Sequence, residues 1–245
     1  MPQETPSLKF IVILLSSLLF AQVIAAEQGL KPLTGETLLS AADAEKLLTD
    51  LPVFKDKTCL KAQMVTEVDD LLGARKEEGE FLLDRSGRVL RKFNKPSLKV
   101  WLLDGSQIQE YSANRKMLYV KDFKQAPKAL KLIQAAFTGN VKELNELFDM
   151  HVYRSAKENQ SVYRFLLLKK PSADNALLYK RIQAHVFENG LFFHEIEYLP
   201  ESGDRTIERY LNIDSVPKPG DRDFALEVPE GVQRKTELIG TGAEK

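Results

Sequence analysis

The chain has 245 residues, enough for one sizeable domain or two small ones, with an ordinary hydrophobic share of 43%. Lys+Arg and Asp+Glu are 35 each, and removing the single Glu and single Lys of the first 25 residues leaves the balance at zero. A neutral chain offers no broad basic field for nucleic acid and no polybasic run for anionic lipid heads. One cysteine, Cys59, excludes an internal disulfide and a zinc cluster.

The chain opens with Lys9, an apolar run from Phe10 to Phe20, and a small-residue exit at Ala21-Gln-Val-Ile-Ala-Ala26. That order predicts a secretory signal, residues 1–26, cleaved after Ala25 or Ala26, with delivery to the periplasm. An uncleaved anchor is the competing reading, but Ser16, Ser17 and Gln22 interrupt a stretch already short for a membrane span. Residues 27–40 read as a loose segment. Ser40 then caps a helix over Ala41–Leu51, which Pro52 ends.

From Thr58 the apolar period changes to two, as a strand requires. Further strand runs are Gly79–Asp84, Arg88–Phe93, Leu98–Leu103, Ile108–Tyr111 and Met117–Val120. Asp104-Gly105 is a hairpin signal, and Asn94-Lys-Pro96 turns the chain. Pro127 opens a helical stretch with Leu130, Ile133 and Phe137 on one stripe. Val141, Leu144, Leu147 and Phe148 form a second short amphipathic helix. Strands return at Met150–Arg154, Ser161–Leu168, Leu177–Phe187, Leu191–Leu199, Arg205–Ile213 and Phe224–Val228, with a turn at Glu188-Asn189-Gly190. The tail 233–245 is polar and reads as frayed. The expected fold is mainly β (α+β): a single domain over 41–232, a strongly curved, unclosed antiparallel barrel of about 11 strands, with helices between two strand blocks.

No motif for catalysis emerges. His151, His185 and His194 have no metal-ligand spacing, and no phosphate loop or nucleophile elbow occurs. Neither a metal nor a cofactor is expected, and the chain is not expected to be an enzyme. Glu195 and Glu197 share a strand face and could form an acid–base pair, or a solvated stripe. Several strands carry bulky apolar groups on both faces: Leu98, Val100 and Leu102 oppose Trp101 and Leu103. Either ordinary core or a greasy pocket on the concave side accounts for this. Arg91 lies between Val89 and Phe93 on one face. It is either a guanidinium inside an apolar bowl, needing partners such as backbone carbonyls of a covering segment, or an exposed strand charge.

The order of elements from Gly79-Glu-Phe-Leu-Leu through Leu90-Arg-Lys-Phe93, Asn94-Lys-Pro96, Val100-Trp-Leu-Leu-Asp-Gly105 and Gln109-Glu-Tyr111 resembles the central block of the LolA family of periplasmic lipoprotein carriers. Phe224-Ala-Leu-Glu-Val-Pro-Glu-Gly-Val232 resembles the family's closing strand. The resemblance implies an open barrel with a helical lid. It implies a cavity that takes acyl chains of outer-membrane lipoproteins from an ATP-driven inner-membrane releaser and passes them to an outer-membrane receptor. It casts Arg91 as the lid-holding residue and Leu130, Ile133 and Phe137 as lid residues. Phe81, Leu83, Val89, Phe93, Val100 and Leu102 become the cavity wall, in a protein expected to be a monomer. Lys92 departs from the aromatic residue usual after that arginine. A transporter of other lipids or glycolipids, or a lipid-sensing regulatory module of similar shape, are the alternative functions.

Overall fold

The computed structural model describes residues 31–55, 59–71, 73–84, 86–105, 107–123, 135, 140–157, 160–173, 179–217 and 219–239. The expected signal segment and the lid residues Leu130, Ile133 and Phe137 lie outside them. Ala135, from the same stretch, is helical and fully buried.

The described residues build one 13-stranded sheet. β1 is Glu36–Leu38, followed by α1 (Ala41–Asp50) and the short α2 (Pro52–Lys55). The first strand block is β2 (Cys59–Asp70), β3 (Gly73–Leu83), β4 (Val89–Lys95), β5 (Lys99–Asp104), β6 (Gln107–Ser112) and β7 (Met117–Phe123). Then come α3 (Val141–Leu147) and the second block: β8 (Phe148–Lys157), β9 (Gln160–Lys169), β10 (Tyr179–Phe187), β11 (Glu195–Pro200) and β12 (Arg205–Val216). A 3₁₀ turn at Asp221–Phe224 and β13 (Gln233–Ile239) finish the chain.

Each block is an antiparallel meander, and the two join where β12 pairs with β2. β1 extends one end beyond β8, and β13 extends the other beyond β7. Those two end strands do not pair with each other, so the sheet is a curved barrel left open. The fold class expected from the sequence is borne out, with thirteen strands rather than eleven.

Three boundaries differ from expectation. Residues 36–38, in the segment read as loose, pair with β8. Phe224–Val228 is not a strand but the start of a strap that crosses the convex face. There Leu226, Val228 and Val232 cover a patch formed by Val100, Tyr111, Leu118 and Val120. The polar run read as a frayed tail is β13, paired in parallel with β7 from Gln233↔Met117 to Ile239↔Phe123. Alternation of apolar residues cannot reveal such a strand, because an exposed edge strand needs no apolar face. The strap is pinned by Arg88, whose Nη1 donates to Asp221 at 3.0 Å and whose guanidinium lies 4.4 Å from the Phe224 ring centroid.

The helices sit on the concave side. Ser40 Oγ accepts from the Asp43 amide at 3.2 Å and caps α1, which buries Ala44 and Leu48 in the core. Asn140 caps α3 in the same way, and α3 buries Val141 and Leu144. Cys59 is a buried strand residue with a free thiol.

Gly79 sets the curvature between β3 and β4. The pairing shifts between Glu78 and Gly79, a bulge that sharpens the bend. A Cβ at Gly79 would stand 2.1 Å from the Lys92 carbonyl oxygen, so only glycine lets the two backbones approach this closely.

Candidate functional site

Between the concave face and the helices lies a cavity of about 360 Å³. Its apolar wall comes mostly from the second strand block. Met150 of β8, Phe165 and Leu167 of β9, Ile182 and Ala184 of β10 and Ile196 of β11 face inward, because each is an alternate residue of its strand and in register with the next. Phe192 and Phe193 enter from the turn before β11, and Leu48 and Leu144 come down from α1 and α3. Phe192 and Phe193 meet edge to face at 5.3 Å, and Phe193 meets Phe165 at 5.4 Å. The first block contributes Trp101, Ile108, Glu110, Tyr119 and Lys121, all on one face of β5 to β7.

Arg91 also faces this cavity. Its side chain is 17% exposed, and it forms a two-pronged ion pair with Glu208 of β12 at 2.6 and 3.1 Å. Arg91 thus points into the hollow, and its partner is a carboxylate three strands away across the trough, with β2 and β3 between them. Tyr210 and Tyr198 donate their hydroxyls to Glu208 Oε2 at 2.6 and 3.2 Å. Trp101 lies 5.2 Å from the guanidinium, close enough for a cation–π contact.

Burial opposes the Arg91 charge, but the Glu208 carboxylate outweighs it and raises the pKa above its ordinary value. Burial, reinforced by the nearby Glu208 charge, pushes both tyrosine hydroxyls well above the usual range. Arg91 is thus held as the guanidinium and both tyrosines as neutral phenols around the Glu208 side chain.

The other expected site residues fall elsewhere. Phe81, Leu83, Val89 and Phe93 share the concave face, but they are packed solid in the core and do not line the cavity. Phe81, for example, is stacked on Phe192 at 5.9 Å and meets Tyr210 edge to face at 4.8 Å. Val100 and Leu102 point to the convex side, since Trp101 between them faces in. The wall residues of β8 to β11 and the Glu208 cluster escaped sequence reasoning. The signal available for them was the apolar alternation of Phe165–Leu167 and Ile182–Ala184, which marks an inward face without telling packed core from open space.

Glu195 and Glu197 lie on the convex face, away from the cavity. Glu195 accepts from Arg209 at 2.9 Å and stands 3.3 Å from His185. Glu197 accepts from Arg205 at 3.0 Å and Arg181 at 3.2 Å. Both belong to a charge ladder that continues through Arg209 to Glu67. They form a stripe on the outer face as one alternative expected, but not a solvated one: Glu197 is buried among its arginine partners. Arg164 and Glu36 form a second two-pronged pair on this face, which holds β1 against the sheet and keeps Glu36 below its ordinary pKa. Among the described residues, no group of three or more His, Cys, Asp or Glu is placed to hold a metal ion.

No protein-family model matches the sequence, and no curated protein does. Solved structures do match. An uncharacterised conserved protein of Thermus thermophilus is 8% identical, with a TM-score of 0.51, over 80% of this chain and 99% of that one. The shared feature is the fold. A LolA superfamily protein of Nitrosomonas europaea (9% identity, TM-score 0.39, 75% of this chain and 97% of that one) is a more distant match. So is the lipoprotein LppX of Mycobacterium tuberculosis (8%, 0.38, 74% and 100%).

Proposed function

We propose that this chain is a lipid carrier of the bacterial envelope, which holds acyl chains in the concave cavity and moves them between membranes without chemical change. The observation that carries the reading is an apolar hollow of about 360 Å³, walled by Phe165, Leu167, Ile182, Phe192 and Phe193, inside an otherwise tightly packed core. Cores close such space because every unfilled volume forfeits dispersion contacts. An open apolar hollow is therefore a site built for an apolar guest. Each methylene transferred into it from water contributes about 0.8 kcal/mol.

In this reading the segment containing Leu130, Ile133 and Phe137 is the cover, and Arg91, braced by Glu208, is the fixed point it closes on. Acyl chains, of lipoproteins or of another envelope lipid, are the cargo. An ATP-driven inner-membrane releaser and an outer-membrane receptor are the partners, reached from the periplasm after signal cleavage. The test is mass spectrometry of the organic extract of natively purified protein. Acylated lipid in molar proportion to the chain is expected. A clean extract, together with no uptake of labelled fatty acid, overturns the proposal.

A further inference from the structure

The cavity carries charge that the core does not need, and that charge narrows the guest. Arg91 and Glu208 neutralise each other. Half-buried Glu110 and exposed Lys121 line the same cavity, on the adjacent strands β6 and β7, and neither side chain makes a hydrogen bond or ion pair among the described residues. They stand in neighbouring rows of one face: Trp101, Glu110 and Tyr119 are in register across β5, β6 and β7, and Lys121 is opposite Ile108. One free carboxylate flanked by two aromatic rings suits an alkylammonium, which is attracted both by the charge and by the ring faces. One free ammonium two residues along suits a phosphate or other small anion.

Volume sets the number of tails. At the roughly 30 Å³ a water-sized group fills in a liquid, 360 Å³ holds on the order of a dozen methylenes, which is one chain and not two or three. We propose that the guest is a single-chain amphiphile with a zwitterionic phospho-amino head, the chemistry of a lysophospholipid. The head lies between Glu110 and Lys121, and the tail runs along the apolar wall. This rests on the lipid reading above and specifies its cargo.

Trp101 is the chain's only tryptophan and lines the cavity, so its fluorescence reports binding directly. The experiment titrates the purified protein, below micelle-forming concentrations, with four amphiphiles of equal tail: dodecylphosphocholine, dodecyl sulfate, dodecyltrimethylammonium and dodecyl maltoside. Dodecylphosphocholine is expected to bind one per chain and about tenfold or more tighter than the others. Glu110→Gln and Lys121→Gln are each expected to remove about tenfold of that affinity while leaving dodecyl maltoside binding unchanged. Equal affinity for all four, or unchanged affinity in both variants, overturns the head assignment and leaves the lipid reading standing. Two molecules bound per chain overturns the single tail. Failure of all four to bind overturns the lipid reading as well.

Discussion

Removing Glu208 tests whether the buried cluster is a strut across the trough. Glu208→Leu leaves the Arg91 guanidinium without its carboxylate partner and strips the acceptor from Tyr198 and Tyr210. Arg91 is 17% exposed and Glu208 5%, so water can relieve little of this. Breaking one side of a buried pair costs about 3–5 kcal/mol. Arg91→Leu should cost less, because Glu208 keeps two hydroxyl donors. The double Leu variant fills the gap with apolar volume and should be more stable than Glu208→Leu alone by at least about 2 kcal/mol. Urea unfolding followed by far-ultraviolet circular dichroism measures all four corners of the cycle, a readout independent of the Trp101 environment that Arg91 itself perturbs. Costs of the two single changes that add within about 0.5 kcal/mol in the double variant would refute the strut.

Other consequences are as direct. Gly79→Ala forces a methyl group against the Lys92 carbonyl at 2.1 Å and should cost about 3 kcal/mol or more, read as a lowered urea midpoint. Arg88→Ala frees the strap from Asp221 and Phe224; hydrogen exchange should accelerate at residues 226–239 ahead of the rest of the sheet. Burial lowers the His185 pKa against the pull of Glu195, and burial together with His185 lowers that of His194. The unfolded state therefore binds more protons just below the ordinary histidine pKa. Stability is full above about pH 6.5 and falls as pH drops through the depressed folded values. Urea midpoints across that window should show the slope, and a His185→Gln/His194→Gln variant should flatten it. Arg91→Leu should retain cargo in a vesicle hand-off assay if Arg91 governs release; unchanged transfer would remove that role.

Much of the fold was legible in the sequence, because the two strand blocks alternate strongly and their turns use Asp104-Gly105 and Glu188-Asn189-Gly190. Ser40 likewise announced the start of α1. What escaped was information held by distant partners. Arg91 stands out by sequence pattern, but Glu208 lies 117 residues away, and nothing local ties the two together. The face of β5 was misread because both faces are apolar: Trp101 and Leu103 serve the core, while Val100 is covered by a strap whose Leu226 and Val228 looked like a strand. β13 is polar from Gln233 to Glu237 and gains its place from backbone pairing with β7. The cavity itself is a difference between packed and unpacked apolar residues, which periodicity does not encode. Phe81 and Phe165 are equally buried, yet only Phe165 borders the hollow.

Photo-crosslinking with a diazirine-bearing fatty acid, followed by peptide mapping, tests the hollow most directly. The account predicts adducts concentrated on Phe165, Leu167, Ile182, Phe192 and Phe193 and abolished by Ala184→Phe, which fills the space they surround. Adducts confined to exposed leucines such as Leu71 and Leu211, and untouched by Ala184→Phe, would contradict it.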